Sequence, residues 1–355
     1  MAYLPLSTAN LPDPAIDPAQ GSSPEDYFDT ALYTGNGTST EVSTLNFQPD
    51  FVWGKKRSTS GSHFLLDSIR GVNSTLSSDT TGAEDTSTDI FTSFDSDGFT
   101  VGANGQSNSN GVTYVAWNWK ANGSGVSNTD GSITSTVSAN TESGFSVGTF
   151  VGNQTSGATV GHGLSQAPEM LIIRDRPTAN DWPVYHASVG ATAFLKLNAT
   201  NVQATDSGLW NNTAPTASVF TLGSSNLANN NTKSHVFYAF HSVDGFSKLG
   251  SYTGNGSADG PFVYTGFRPA FVIIKNADFG EIWPMFDDKR DADNQVENPV
   301  YANLSGSEGT SSSRGLDFLS NGFKIRGTDT SVNRSGDTHI YMAFAENPFK
   351  YSNAR

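Results

Sequence analysis

Three short apolar runs stand out along this chain, because each follows a proline and ends in a cation. The runs occupy 51–54, 170–173 and 271–274, whereas a half-exposed antiparallel strand would alternate apolar and polar residues. The pattern therefore predicts three central strands, each covered on both faces. A proline is tolerated where such a strand begins, because the sheet does not need its missing N–H there.

The prolines that precede these runs are the origin of a longer internal repeat. Pro49, Pro168 and Pro269 are separated by 119 (168 − 49) and 101 (269 − 168) residues. Three offsets recur without a gap: Lys55, Arg174 and Lys275 at +6, His63, Trp182 and Trp283 at +14, and Asp67, His186 and Asp287 at +18. Each copy also has an aromatic-x-Gly-Asn element upstream, and a closing strand downstream that we align on Ala116, Ala239 and Ala343. Fixed strands separated by loops of variable length indicate three copies of one domain.

The composition places these copies in the all-β class. The chain has 36 Gly and long Ser, Thr and Asn tracts, and it lacks runs of strong helix formers. With spacings of 119 and 101 residues, each copy is large enough to bury a core of its own. We predict three tandem, related β-sandwich or jelly-roll-like domains with these limits: an extended, Pro-rich docking arm at 1–27, repeat 1 at 28–120, a Gly/Ser/Thr linker at 121–143, repeat 2 at 144–244 and repeat 3 at 245–355. The alternative for 121–143 is one weak strand.

Charge and cysteine content argue against several classes of function. The net charge is −14, from 20 basic and 34 acidic residues, which disfavours binding to a phosphate backbone. Without cysteine the chain has neither disulfides nor thiolate metal sites. Its first residues do not resemble a signal peptide, and no apolar run approaches the roughly 20 residues of a membrane helix. We therefore expect a protein made in the cytoplasm, with no cofactor, membrane insertion or nucleic-acid partner.

The offsets +6 and +14 define one candidate binding surface. If a hairpin is centred near +10, Arg174 lies beside Trp182 and Lys275 lies beside Trp283, as cation–π pairs. An exposed ring with a polar neighbour is suited to stacking on a sugar. These four residues are therefore candidates for a carbohydrate or receptor contact. The alternative is that they form cross-strand pairs that finish the edge of a sheet.

Acidic residues near the third +18 position suggest a different kind of site. Asp287, Asp288, Asp291 and Asp293 supply enough carboxylate oxygens for Ca²⁺, the alternative being a solvated acidic loop. Neither an HExxH zinc motif nor a GxSxG nucleophile turn is present, and the six histidines are scattered, so we do not expect an enzyme. The polar loops at 102–111 and 224–232 are further candidates for recognition.

The first copy carries motifs that are known from elsewhere. At YTGNGTS, FQPDFVW, FDSDGFTVG and YVAWNWKANG it resembles a repeat of virion proteins from marine tailed bacteriophages, and the likeness is thinner in the other two copies. The resemblance implies a non-enzymatic structural protein of the virion, in a tail or tail-fibre position, with a role in host attachment. The alternatives are a capsid-surface fibre or decoration protein, and a carbohydrate-binding module.

The same resemblance raises expectations about partners. Residues 1–27 are expected to dock onto other virion proteins, and the outer domains are expected to meet other subunits or a host surface glycan. Homo-oligomers are expected from the symmetry of such assemblies, and trimers if the protein is a fibre. The recurrent motifs are structural, so the resemblance assigns no catalytic residue.

Overall fold

The computed structural model describes residues 11–352. Strands dominate it and its helices are single turns, so the all-β prediction is confirmed. Within residues 11–352 no helix is long and apolar enough to cross a membrane. The strands form three units, and each unit combines a large sheet with a small one.

Unit 1 shows the pattern that the other units follow. Its elements are β1 (Phe28–Thr34), β2 (Thr40–Val42), β3 (Phe51–Lys56), β4 (Phe64–Asp67), β5 (Ser93–Asp95), β6 (Gly98–Val101), α1 (Gly105–Asn108) and β7 (Thr113–Trp119). The large sheet has the order β1-β7-β3-β4, and the small sheet has the order β2-β6-β5. The proline-led strand β3 therefore lies between the closing strand β7 and the next strand β4. Apolar side chains from the two sheets form the core of the unit.

Unit 2 repeats this order in a wider sheet. Its elements are β8 (Val126–Asn128), β9 (Ser135–Asn140), β10 (Phe145–Val151), β11 (Ala158–Gly161), β12 (Met170–Asp175), β13 (Pro183–His186), β14 (Ala193–Lys196), β15 (Ala204–Thr205), α2 (Ser207–Trp210), β16 (Val219–Leu222), α3 (Asn226–Asn229) and β17 (Ser234–Phe240). The large sheet has the order β15-β14-β13-β12-β17-β10-β9-β8, and β11 pairs with β16 in the small sheet. The segment β10-β17-β12-β13 corresponds to the whole large sheet of unit 1.

Unit 3 follows the same plan. Its elements are β18 (Ser247–Thr253), β19 (Phe262–Tyr264), β20 (Phe267–Asn276), β21 (Pro284–Asp287), β22 (Val300–Tyr301), a 3₁₀ turn (Ser312–Arg314), β23 (Leu316–Leu319), β24 (Gly322–Ile325), α4 (Thr330–Asn333) and β25 (Thr338–Pro348). The large sheet has the order β18-β25-β20-β21-β22, and the small sheet has the order β19-β24-β23. The strand β20 again lies next to the closing strand. Pro269 is its third residue, at an irregularity in the register opposite Ala345, so the prediction that the proline stands where the strand begins is wrong in this unit.

The proline-led strands β3, β12 and β20 are buried on both faces, which confirms the prediction from their apolar runs. Their outer faces pack against the small sheet of the same unit, as Val52 does in unit 1. Their inner faces, which carry Phe51 and Trp53 in unit 1, contribute to a core that all three units share. Continuous apolar runs are therefore required because each strand separates two cores.

The shared core holds the three large sheets together. Phe51 of unit 1 stacks on Tyr238 of unit 2, with ring centroids 4.2 Å apart. Phe28 of unit 1 stacks on Phe344 of unit 3 at 4.8 Å, and Phe240 of unit 2 meets the same ring edge-on at 6.2 Å. Each unit thus has a core of its own, but the units are also joined through a fourth.

The strand register corrects our alignment of the closing strands. Trp53 pairs with Trp117 and Ile172 pairs with Tyr238, so the residue equivalent to Ala239 is Asn118, two residues after the predicted Ala116. In unit 3 the residue equivalent to Trp117 and Tyr238 is Met342. A slip of two residues keeps every side chain on the same face of the sheet, so the apolar alternation in the sequence could not reveal it.

The prediction of a linker at 121–143 is wrong. This segment contains β8 and β9, and β9 pairs along its length with β10 to extend the large sheet of unit 2. Ile133 and Val137 are buried in the core of that unit. The Gly, Ser and Thr content hid the alternation of a strand with one buried face.

The prediction of an extended docking arm is wrong for residues 11–27. This part forms two 3₁₀ turns, Pro18–Gln20 and Pro24–Asp26, and it packs against units 1 and 3. Ile16 is buried in the shared core, and Asp17 accepts a hydrogen bond from the Tyr351 hydroxyl at 2.6 Å. The segment cannot form a core alone, but it adds apolar residues to one that exists. The first ten residues of the predicted arm lie outside the described residues.

Candidate functional site

The recurrent residues of the sequence meet at the three contacts between units, which we call the 1–2, 2–3 and 3–1 junctions. The cations at +6 lie on the inner face of the proline-led strands and are buried. Each donates to backbone carbonyls of another unit: Lys55 to Ser305 and Gly306 at 3.2 and 2.8 Å, Arg174 to Thr81 at 2.7 Å, and Lys275 to Thr200 at 3.3 Å. The three contacts follow one another around a closed ring.

Burial lowers the pKa of each of these cations. Loss of hydration lowers the pKa of Lys55 and of Lys275 to about 8, and that of Arg174 to about 10. Carbonyl oxygens replace the water that each head group loses on folding. These residues therefore hold loops of neighbouring units in place.

The residues at +14 make a second contact at each junction. The indole N–H groups of Trp182 and Trp283 donate to the carbonyls of Thr80 and Lys196, at 3.2 and 3.0 Å. In unit 1 this position is His63, whose Nε2 lies 2.9 Å from the carbonyl of Tyr301 in unit 3. An imidazole thus replaces an indole as the donor.

The hydrogen bonds of His63 fix its protonation state. Its Nδ1 accepts a hydrogen bond from the Trp53 indole at 2.9 Å, so the proton of the neutral ring is on Nε2. Burial and the nearby Lys55 lower the pKa of His63 to about 3. The ring is therefore neutral at physiological pH and serves the junction.

The prediction of a carbohydrate or receptor contact at Arg174, Trp182, Lys275 and Trp283 is wrong. Arg174 does lie over the Trp182 ring, 5.5 Å from its centroid, as a cross-strand pair. All four side chains are buried at junctions, so none can stack on a ligand from outside. A hairpin pattern shows which residues are neighbours, but it does not show that another unit covers them.

The residues at +18 reach the closing strand of another unit. Asp67 accepts hydrogen bonds from the Tyr238 hydroxyl at 2.9 Å and from Arg70 Nε at 2.6 Å. Asp287 accepts from the Trp117 indole at 3.0 Å and from Arg290 Nε at 2.6 Å. Tyr238 and Trp117 occupy equivalent positions, so the 1–2 and 3–1 junctions are built alike.

A glutamate completes each of these two networks. Glu84 pairs with Arg70 at 2.9 Å and with Arg176 of unit 2 at 2.7 Å. Glu308 pairs with Arg290 at 3.1 Å and with Arg57 of unit 1 at 2.7 Å, in the same arrangement. A buried arginine is thereby neutralised by two carboxylates at each junction.

The 2–3 junction has the same backbone hydrogen bond as the 1–2 junction, but different side chains replace the buried ion pairs. Gln203 N–H donates to the carbonyl of Ala277 at 2.8 Å, just as Glu84 N–H donates to that of Arg176. His186 replaces the aspartate, and its Nε2 lies 3.4 Å from the carbonyl of Tyr341. Met342, which has no polar hydrogen, stands where Tyr238 stands in unit 2. A carboxylate at His186 would lack that donor, which explains the change from Asp to His.

The predicted calcium site is not formed. Asp287 belongs to the 3–1 junction, and Asp291 accepts hydrogen bonds from the backbone N–H groups of Glu297 and Asn298 at 2.6 and 3.2 Å. Among residues 11–352 no group of three or more His, Asp or Glu side chains is placed to hold a metal ion. The aspartates are close in sequence, but their carboxylates serve different donors.

Asp288 lines a surface cavity of about 420 Å³. Burial, Glu346 and Asp287 raise the pKa of Asp288 to about 7, and one of its oxygens has no hydrogen-bond partner. Glu25, Lys289 and Pro18 also line the cavity, and its lining contains no histidine. The cavity therefore places a carboxyl group whose pKa is raised to about 7 beside a second carboxylate, Glu346, and the ammonium of Lys289.

Sequence reasoning missed three asparagines that organise the polar loops. Asn229 accepts a hydrogen bond from Asn153 N–H at 2.8 Å and donates to the carbonyl of Gly223 at 2.7 Å. The equivalent residues are Asn108 and Asn333, and each stands six positions after a glycine. This repeated Gly-x5-Asn spacing was the signal that could have found them. The loops proposed for recognition contain α1 and α3, and these asparagines tie them to the aromatic-x-Gly-Asn element.

The fold and its junctions define a closed array of three related β units. The chain belongs to a family described as Domain of unknown function (DUF7483), which matches residues 23–348. One family domain thus spans all three units and the last part, residues 23–27, of the folded N-terminal segment. No curated protein of known role matches the chain.

Proposed function

We propose that the chain is a non-enzymatic structural component of a tailed-phage virion, in a tail or tail-fibre position. The observation that supports a structural role most strongly is that the recurrent polar residues lie at the junctions between units. Charged and aromatic side chains that would be candidates for chemistry hold the junctions together instead, as Arg70 and Trp182 do. Such a chain is built to be rigid.

The resemblance of the first copy to phage virion proteins supports the location. Because residues 11–27 are packed against the body, attachment to other virion proteins is assigned to residues 1–10 and to the outer surface of the units. Homo-oligomer formation stays a prediction, and light scattering during size-exclusion chromatography measures it. A capsid-surface fibre or decoration protein is the second candidate location.

Immunogold labelling of purified particles tests the proposal. Antibodies raised against the chain are expected to label the tail, and their label should disappear after preincubation with the purified protein. Label on the capsid would replace the tail assignment with the second candidate. Absence of the protein from particles, measured by mass spectrometry of gradient-purified virions, would contradict a structural role in the virion.

Removal of residues 1–10 separates folding from attachment. The melting temperatures of the shortened and full-length chains are compared first, so that a loss of folding is distinguished from a loss of attachment. Incorporation of the shortened chain into particles should fall. Equal incorporation of the shortened and full-length chains would show that the first ten residues are not the anchor.

A further inference from the structure

An exposed aromatic pair lies on the outer side of unit 3. Phe262 and Tyr264 are 46% and 60% exposed, whereas Val263 between them is buried in the core of the unit. All three residues belong to β19, an edge strand of the small sheet. The two rings therefore project from the same face of the strand, roughly 7 Å apart along it.

Comparison with the other units shows that the fold does not require these rings. Val263 pairs with Phe323, as Val42 pairs with Phe99 in unit 1 and Val160 pairs with Phe220 in unit 2. The positions on either side of this valine are Glu41 and Ser43 in unit 1, Thr159 and Gly161 in unit 2, and Phe262 and Tyr264 in unit 3. Only unit 3 places two large aromatic side chains here.

The Phe262 ring lies against the neighbouring strand. A Cβ atom placed on Gly322 would lie 3.1 Å from Phe262 Cε2, so the ring packs against the bare backbone of that glycine. One side of the ring is thereby supported and the ring is 46% exposed. Beside Tyr264 the surface continues into a groove of about 160 Å³, which Pro12 and Phe349 also line. The backbone of Gly322 thus supports Phe262, and the groove adjoins Tyr264.

Polar groups with balanced charge surround the rings. Lys324, opposite Phe262 in the register, pairs with Asp259 at 2.7 Å, and Arg326 pairs with Asp317 at 2.5 Å. The position of Lys324 is a threonine in both of the other units. Unit 3 thus combines aromatic faces with donors and acceptors that carry no net charge.

The extent of the patch indicates what it binds. A stable protein interface buries about 800 Å² on each partner, whereas two aromatic side chains supply at most about 500 Å² even when fully covered. The three residues of β19 also offer too short an edge for a partner strand. A sugar chain is narrower, its C–H faces stack on aromatic rings, and its hydroxyl groups bind both members of an ion pair.

We propose that Phe262 and Tyr264 form the contact surface for a neutral, hydroxyl-rich polysaccharide. This inference rests on the proposed function, because it gives a tail component of the virion a contact with a polysaccharide of the host surface. It moves the carbohydrate contact from the buried tryptophans to an exposed strand. The ligand would lie along β19, with its sugar rings on the aromatic faces and its hydroxyls on the Lys324–Asp259 and Arg326–Asp317 pairs.

The experiment compares the wild-type protein with Phe262→Thr/Tyr264→Ser, which takes residues that the other units carry at these positions. Both proteins are applied to an array of immobilised bacterial surface polysaccharides, and the Kd for each bound sample is then measured by isothermal titration calorimetry. We expect the double variant to bind at least tenfold more weakly while its melting temperature stays within a few degrees. Val126→Thr, which changes a residue that is 65% exposed on another unit, is the control and should bind like the wild type.

Three results would overturn the proposal. They are the absence of wild-type binding to every polysaccharide, equal binding by the double variant, and a change of oligomeric state in the double variant on analytical ultracentrifugation. The last would identify the patch as a contact between copies of the chain. Immunogold labelling of particles is independent of these measurements, so failure of the polysaccharide site leaves the virion assignment to its own test.

Discussion

Buried cations are the residues through which neighbouring units make their most direct polar contacts. Lys55, Arg174 and Lys275 occupy one structural position, and each supplies donors to the backbone of a loop that belongs to another unit. The type of cation differs between units while the acceptors remain backbone carbonyls. The contact between units therefore depends more on the number and direction of the donors than on whether the side chain is lysine or arginine.

Replacement of Lys275 tests this role. Lys275→Met is expected to lower the free energy of unfolding by about 1–3 kcal/mol, because the carbonyls of Thr200 and Glu281 lose their charged donor. Lys275→Arg, which copies the cation of unit 2, should cost less. Urea denaturation measures both, with the exposed Lys248→Met as control. A Lys275→Met protein as stable as the control would contradict the role.

The buried, neutral His63 makes stability depend on pH. Its pKa is about 3 in the folded protein, below the ordinary value of 6.5, so between these values only the unfolded chain binds the proton. Stability is therefore complete above about pH 6.5 and is lost as the pH falls. From pH 6.5 to 4.5 the protonation of this one group lowers the free energy of unfolding by roughly 2–3 kcal/mol.

His63→Gln isolates that contribution. A glutamine can accept from the Trp53 indole and donate to Tyr301, but it does not titrate. Urea denaturation from pH 4.5 to 7 should show a shallower decline in the variant than in the wild type. Identical pH dependence in the two proteins would show that His63 is not held neutral.

At the scale of elements, the hairpin β8–β9 is the part of the fold that its Gly, Ser and Thr content made hard to predict. Val137→Ala is expected to lower the free energy of unfolding by about 1–3 kcal/mol, because the side chain is buried in the core of unit 2. Val126→Ala removes the same atoms from an exposed site on the same hairpin and should change it by less than about 0.5 kcal/mol. Thermal or urea unfolding measures both. Equal effects would indicate that 121–143 is a linker after all.

Patterns within one strand were readable from the sequence, whereas contacts between units were not. The double-sided apolar run at Phe51 predicts a strand with both faces buried, and the structure has it. The partner of Arg174 is a carbonyl 93 residues away in a loop, and no periodicity marks a backbone acceptor. The sequence pattern therefore predicts a surface position for Trp182. It does not predict the exposed Phe262 and Tyr264, because these residues lie outside the offsets that all three copies share.

At the scale of the whole molecule, the three units close into a ring around a common core. Each unit contributes aromatic residues to that core, and each is joined to both of the others through polar contacts. Loss of any unit would expose the inner faces of the remaining two. The units are therefore expected to unfold together, although each has the size of an independent domain.

Differential scanning calorimetry of the full chain tests this claim most directly. The account predicts a single transition whose van't Hoff enthalpy matches the calorimetric value, about 250 kcal/mol for 355 residues at 60 °C. Independent units would instead give transitions with van't Hoff enthalpies of about 60–80 kcal/mol each. Separate or overlapping transitions of that smaller size would contradict the shared core.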